Sequence, residues 1–352
     1  MTKKKVLVAM SGGIDSSVCA HLVQKMGYEA AGITMQLWGT DTTNSCDAKK
    51  ISDRLSMTHD TVVLHEQFQK NVVDAFVSEY IDGLTPNPCV ECNRCLKFGT
   101  LFEIAMERGF DFLATGHYAK IEQNEKGEWQ LKKASDATKD QSYFLWSIKK
   151  EILPHLLFPL GSYTKAEIRT IAEENEFENA HRSDSQDICF IPDGDYASFI
   201  HSQTEKTFPK GNFISPDGQI LGEHQGLIHY TVGQRKGLGI ALGHPAFVAS
   251  KNSTDNTVTL TTDSDLYSKE LTASRLNFLC REDFGDSLRV MAKIRYRHTP
   301  APATLTRMDH DRIKLVFDEA QRAIAPGQSV VFYDEDVVLG GGIIEPNFER
   351  KI

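Results

Sequence analysis

Three cysteines stand three residues apart in TPNPCVECNRC (residues 85–95): Cys89, Cys92 and Cys95. A fourth, Cys189, comes much later in DSQDICFI (184–191). Soft thiols at such spacing can hold a metal, form a disulfide or do nucleophilic chemistry, and in each role the thiolate is the working species. The chain has seven cysteines, and MTKKKVLVAMSGG has too short an apolar run and no small-residue cleavage site for a signal peptide. A reducing, cytoplasmic setting follows, where clustered cysteines are more often ligands or reactive groups than staples. Cys19 and Cys280 sit in apolar patterns and read as core, and Cys46 reads as a loop or helix-start thiol.

The second chemical feature is SGGIDSS, residues 11–17. It lies between the apolar run KVLVAM (5–10) and a helical pattern carrying Val18, Leu22, Val23 and Met26 on one face, stopped by Gly27. Two glycines let backbone N–H groups approach an anion, and the helix start adds unpaired donors and a positive dipole end. Ser11, Ser16 and Ser17 add hydroxyls. Asp15 would repel bare phosphate and suits a magnesium ion instead. The pattern lacks the GK[ST] of a Walker loop.

These residues need a frame. KVLVAM reads as a strand buried on both faces. EAAGITMQLW and HDTVVLH are further strands, and AKKISDRLSM, NVVDAFVSEYIDGL and KFGTLFEIAMERG are helices. FDFLATGHYAKI is a strand running into a loop, and TKAE (164–167) is a capping box before a helix ending near Asn175. The alternation predicts an α/β fold with a Rossmann-like parallel sheet. After about residue 205 short β-rich runs and glycine turns take over. The expected domains are 1–205, catalytic; 206–270, small and β-rich; and 271–352, a β-barrel. No apolar run is long enough to cross a bilayer. The net charge of −9 argues against a general polyanion binder. Residues 1–200 hold 21 basic and 29 acidic side chains and residues 201–352 hold 18 and 19, which leaves room for a local basic face.

The loop resembles the pyrophosphate loop of the N-type ATP pyrophosphatases (adenine nucleotide alpha hydrolase type), which cleave ATP between its α and β phosphates and adenylate a substrate. AMSGGIDSS, TPNPCVECN, LKFG, LATGHYA, KDQSYFL, DSQDICFI and YTVGQRKGLGI occur in one order. Together they resemble the bacterial tRNA-specific 2-thiouridylases over essentially the whole chain. The resemblance implies ATP contacts at Ala9, Met10, Ser11, Gly12, Gly13, Ile14, Asp15, Ser16, Met35 and Gly116. It implies Cys92 as nucleophile and Cys189 as persulfide carrier. Asn87, Pro88 and Cys89 would lie at the target base, and His117, Lys139, Asp140, Gln141, Arg295, Tyr296 and Gln328 would touch tRNA. The partners implied are tRNA (lysine, glutamate and glutamine acceptors) and a cysteine desulfurase or sulfur-relay protein.

The chemistry suits these residue types. Transfer of AMP to the uridine O2 makes a leaving group, a Cys189 persulfide supplies sulfur, and a Cys92 thiolate frees it, forming a Cys92–Cys189 disulfide for a reductant to open. A helix start near Cys92 is expected to lower its pKa, with Cys95 a bystander on the same helix. Many family members carry aspartate at Cys89. With Cys89, Cys92 and Cys189 as three soft ligands, an iron–sulfur cluster binding sulfide at its free iron is an equal alternative. Structural zinc ranks third.

RVMAKIRYRH reads as a strand with Arg289, Met291, Lys293, Arg295 and Arg297 on one face and Val290, Ala292, Ile294 and Tyr296 on the other. Four cations on one face suit a phosphate track, and the Arg235-Lys236 loop is a second candidate. Two other readings keep part of the pattern: an amide-forming ligase using the same loop, and a non-catalytic RNA-binding protein with a zinc knuckle.

Overall fold

The structure is a computed structural model that describes residues 3–39, 43–180 and 188–346. The DSQD part of DSQDICFI lies outside the described residues. The amino-terminal part holds a five-stranded parallel sheet. Its strands are β1 (Lys5–Ala9), β2 (Glu29–Gln36), β3 (His59–Val63), β4 (Phe112–Ala114) and β7 (Leu156–Leu157), in the order β3-β2-β1-β4-β7. Val6 and Val8 of β1 face one apolar cluster while Leu7 faces another. That period of two is what burial on both faces requires.

The helices here are α1 (Ile14–Lys25), α2 (Thr43–Arg54), α3 (His65–Phe68), α4 (Asp74–Ile81), α5 (Pro88–Glu91), α6 (Leu101–Glu107) and α7 (Lys165–Glu174). α1 buries Val18, Leu22 and Val23, as its pattern predicts. Met26 departs from the expected face. It caps the end of α1, where the chain turns through Gly27 at φ 88°, and is 55% exposed. Thr164 and Glu167 form the expected capping box on α7.

α8 (Tyr196–Gln203) leads into a four-stranded sheet of β8 (Gly211–Ile214), β9 (Ile220–His224), β10 (Phe247–Asn252) and β11 (Thr257–Thr261). The last part is β12 (Tyr267–Phe278), β13 (Ser287–Lys293), β14 (Ala301–Arg307), β15 (Ile313–Arg322), β16 (Ser329–Asp334) and β17 (Val337–Ile344). They run β12-β15-β14-β13-β16-β17 and close through β12–β17, a six-stranded barrel.

The barrel is welded to the amino-terminal part. The hairpin of β5 (Ala119–Gln123) and β6 (Trp129–Lys133), which the sequence suggests is a loop, joins the barrel sheet at Val337↔Lys132. Val330 and Phe332 of β16 point into the barrel core. Val331 and Tyr333 of the same strand join Leu7, Val90 and Leu113 in the core of the amino-terminal part.

Candidate active site

The loop after β1 is preset for an anion. Gly13 takes the N-cap position of α1 with no side-chain capping bond, so donors at the helix start are left for a ligand. Gly12 has φ 73°, which glycine adopts at little cost. Ser16 Oγ accepts from Ser11 N–H at 3.1 Å and donates to Gly13 O at 3.0 Å. Asn179 Nδ2 donates to Gly12 O and to Ser17 Oγ, both at 2.9 Å. Its Oδ1 is buried without a hydrogen-bond partner among the described residues. Gly116 closes the other side, where a Cβ would meet the Asp15 carbonyl carbon at 2.9 Å. Met10 and Ile14 are buried, so only their backbones can face a nucleotide. Met35 is half-buried at the end of β2.

Asp15 is already neutralised. Lys165 Nζ, buried at the start of α7, donates to both its oxygens at 2.8 and 2.9 Å. Tyr118 Oη donates to Asp15 Oδ1 at 2.7 Å. A carboxylate and an ammonium side by side fit a nucleotide–magnesium pair: Asp15 would hold the metal and Lys165 would offset phosphate charge.

The thiol helix differs from expectation at its start. It begins at Pro88, capped by Asn87 Oδ1, which accepts from Cys89 N–H at 3.2 Å. Cys89, not Cys92, is therefore the thiol in the first turn. Cys92 opens a π-helical stretch, Cys92–Thr100, that runs on into α6. It is buried among Phe68, Phe76, Phe190 and Ile191. Burial pushes the Cys92 thiol up to about 12, the reverse of the lowering expected, and the Lys97 charge opposes this. Cys89 and Cys189 reach the surface. The protein packed round their sulfurs still raises both, again against Lys97.

Lys97 is thus the cation common to the three thiols. In an α-helix, residues five apart lie about 140° from alignment. The wider i→i+5 winding of the π-helix brings residue 97 nearer the face of residue 92. No hydrogen bond or ion pair ties Lys97 among the described residues. Cys95 lies 3.9 Å from Glu91 Oε2 and is raised by burial, as suits a bystander. All seven cysteines are free. Among the described residues no three His, Cys, Asp or Glu side chains group as metal ligands.

Several residues expected at tRNA also make contacts within the fold. His117 is buried between the rings of Phe98 and Phe158, with Nδ1 2.7 Å from Thr115 Oγ1. Burial, then Lys97, holds it well below the ordinary histidine range, hence neutral. Asp140 is buried and accepts from Ala134 N–H, Ser142 N–H and Ser142 Oγ. Gln141 Oε1 accepts from Tyr118 N–H at 3.0 Å, and Lys139 is half-buried beside it.

The phosphate track is shorter than read, because β13 ends at Lys293. Arg289 is paired with Asp318, Lys293 lies over the Tyr143 and Tyr296 rings, and Arg295 donates to Arg322 O at 3.3 Å. Tyr296 leaves the Val290 face and packs 4.5 Å from the Phe144 ring. Arg235 and Lys236 are exposed.

Family models described as tRNA methyl transferase HUP domain, tRNA methyl transferase PRC-barrel domain and Aminomethyltransferase beta-barrel domain match residues 4–193, 197–262 and 268–344. The chain is 45% identical to the tRNA-specific 2-thiouridylase MnmA of Clostridioides difficile (strain 630), covering 97% of this chain and 98% of that one. The protein of the same name from Acetivibrio thermocellus is 45% identical, with 98% and 100% covered. That from Carboxydothermus hydrogenoformans is 43% identical, with 97% and 98% covered. The chain belongs to the tRNA-specific 2-thiouridylase family.

As a thiouridylase-family member the chain is an enzyme, which removes the non-catalytic zinc-knuckle reading. Three side chains of this thiouridylase-family site escaped the sequence reading. Lys165 hides inside an ordinary capping box, and only the fold brings it to Asp15. Lys97 follows the cysteine motif directly, yet an α-helical reading turns it away from Cys92. Trp38 is 40% exposed and leans on Phe68, Phe190 and Phe199, a flat ring face beside the Cys189 segment.

Proposed function

We propose that this enzyme makes 2-thiouridine at the wobble position of tRNA, using ATP and a persulfide on Cys189. One observation carries the reading: Cys92 and Cys189, far apart in sequence, lie close enough for the charge of one to raise the other, with Lys97 facing both. The loop 11–17, with Lys165 and Asp15, binds ATP and magnesium. The uridine O2 attacks the α-phosphate, and pyrophosphate leaves. A desulfurase or relay protein has meanwhile loaded Cys189 as a persulfide. The Cys92 thiolate attacks the inner sulfur of the persulfide, Cys189 Sγ, forming a Cys92–Cys189 disulfide and expelling the outer sulfur as hydrosulfide. Hydrosulfide attacks uridine C2 and expels AMP, and a thiol reductant reopens the disulfide. Cys89, at the mouth beside the capping Asn87, faces the base. Lysine, glutamate and glutamine tRNAs are the expected acceptors.

No helix among the described residues is long and apolar enough to cross a membrane, and we place the enzyme in the reducing cytoplasm that free thiols need. An amide ligase would share the loop but need neither thiol. The test is Cys92→Ser and Cys189→Ser with ATP, tRNA and a sulfur donor. Both variants should release pyrophosphate yet make no 2-thiouridine. Full thiolation by either would sink the proposal.

A further inference from the structure

The segment leading into the thiol helix is held from outside the catalytic domain. Thr85 spends both backbone groups on one turn of the barrel. Its N–H donates to Pro326 O at 2.8 Å. Its carbonyl accepts from Gln328 Nε2 at 2.7 Å. The turn is itself anchored to the end of β17, since Gly327 N–H donates to Ile344 O and Ile344 N–H donates to Gln328 O, each at 2.9 Å. The approach is close enough to need glycine. Gly327 has φ 88°, and a Cβ there would meet Thr85 N at 2.8 Å and Leu84 Cβ at 2.9 Å.

The other end of the Gln328 amide, Oε1, lies 3.5 Å from the Tyr143 hydroxyl oxygen. That hydroxyl donates to Ser329 O at 2.9 Å. Neighbouring contacts reinforce the grip. Arg275 of β12 pairs with Glu79 of α4 at 2.9 Å, and Lys251 Nζ of β10 lies 3.5 Å from Leu84 O. Two residues beyond Thr85, Asn87 caps the helix that carries Cys89 and Cys92. Gln328 thus ties the barrel, through its amide N–H, to the backbone of the loop that launches this helix.

We propose that the Pro326–Gln328 turn of the barrel positions the thiol helix, with Gln328 acting through the Thr85 carbonyl. The idea rests on the reading that Cys89 and Cys92 belong to the reacting site. It assigns the barrel a second duty, fixing where the thiols stand relative to the ATP loop.

The experiment uses the full chain with Gln328→Met, which keeps length but removes the donor, and Gln328→Glu, which sets an acceptor against the Thr85 carbonyl. Gly327→Ala serves as a third variant that leaves Gln328 in place. Hydrogen exchange of the peptide spanning residues 84–95 is read beside steady-state thiolation. The expected result is faster exchange in that peptide and a kcat lower by about ten- to a hundredfold, with KM for tRNA within about twofold of wild type. A raised KM for tRNA with kcat and exchange unchanged would make Gln328 an RNA contact and overturn the proposal. Unchanged exchange in both Gln328 variants would overturn it as well. Should Cys92→Ser retain thiolation, the function proposed above fails, while the exchange result still decides whether the turn holds the helix.

Discussion

Cys92 has the chemistry of a guarded nucleophile. With burial pushing its thiol up to about 12, nearly all of it is protonated at neutral pH. Below that value its thiolate fraction rises about tenfold per pH unit. Sulfur release from a preloaded Cys189 persulfide should therefore accelerate steadily from pH 7 to pH 9, until another step limits. Single-turnover release of hydrosulfide checks this, and a flat profile would contradict it. Lys97 opposes the rise at Cys92, Cys89 and Cys189 alike. Lys97→Gln should slow release about tenfold at each pH and Lys97→Arg should restore most of it, while pyrophosphate release stays near wild type. The identity of the thiols was legible in the sequence because their motif is local. Their acidity was not, because it depends on which helical turn holds Cys92 and what packs over it. Nor were Lys165 on Asp15 and the buried state of Asp140 and His117, which depend on contacts across the fold.

Among the elements, α7 couples a local signal to the site. Its capping box is readable from TKAE alone, and the structure has it. What the four letters do not carry is that the next residue after the cap, Lys165, meets the ATP loop. Thr164→Ala should lower stability by about 1 kcal/mol in denaturant unfolding. Because fraying begins beside Lys165, pyrophosphate release should fall further than that loss explains at temperatures where the variant is folded. Thr164→Ser keeps the cap and should behave as wild type. The parallel sheet was legible because β1 is apolar on both faces and its loop has one obvious use. The β5–β6 hairpin was not, since FDFLATGHYAKI reads as a strand running into a loop and the barrel partner of β6, β17, lies far along the chain. The face assignment of residues 289–297 failed where β13 stops at Lys293, because alternation holds only while a strand lasts.

For the molecule as a whole, the parts meet at a measurable cost. Lys251 reaches from the small central sheet to Leu84 and lies 5.5 Å from the Tyr80 ring centroid, and burial lowers its ammonium from 10.5 to about 8. Below pH 8 the lysine is charged in both states, and the folded protein bears the full desolvation penalty. Between about 8 and 10.5 the unfolded chain binds the extra proton, so this contribution rises with pH. Lys251→Met should gain on the order of 1–2 kcal/mol at pH 7, the cation–π contact offsetting part of the relief. The gap to wild type should close as pH approaches 10.5, measured by urea unfolding across pH. An equal gap at every pH would assign the effect to packing instead. The strand β16, apolar on both sides, has a consequence for how such enzymes diversify. A barrel exchanged between relatives at the chain position where it begins would arrive without its hairpin and with half of a strand's partners missing. Inheritance of this module is therefore bound to two separate stretches of the gene, and the two must change together.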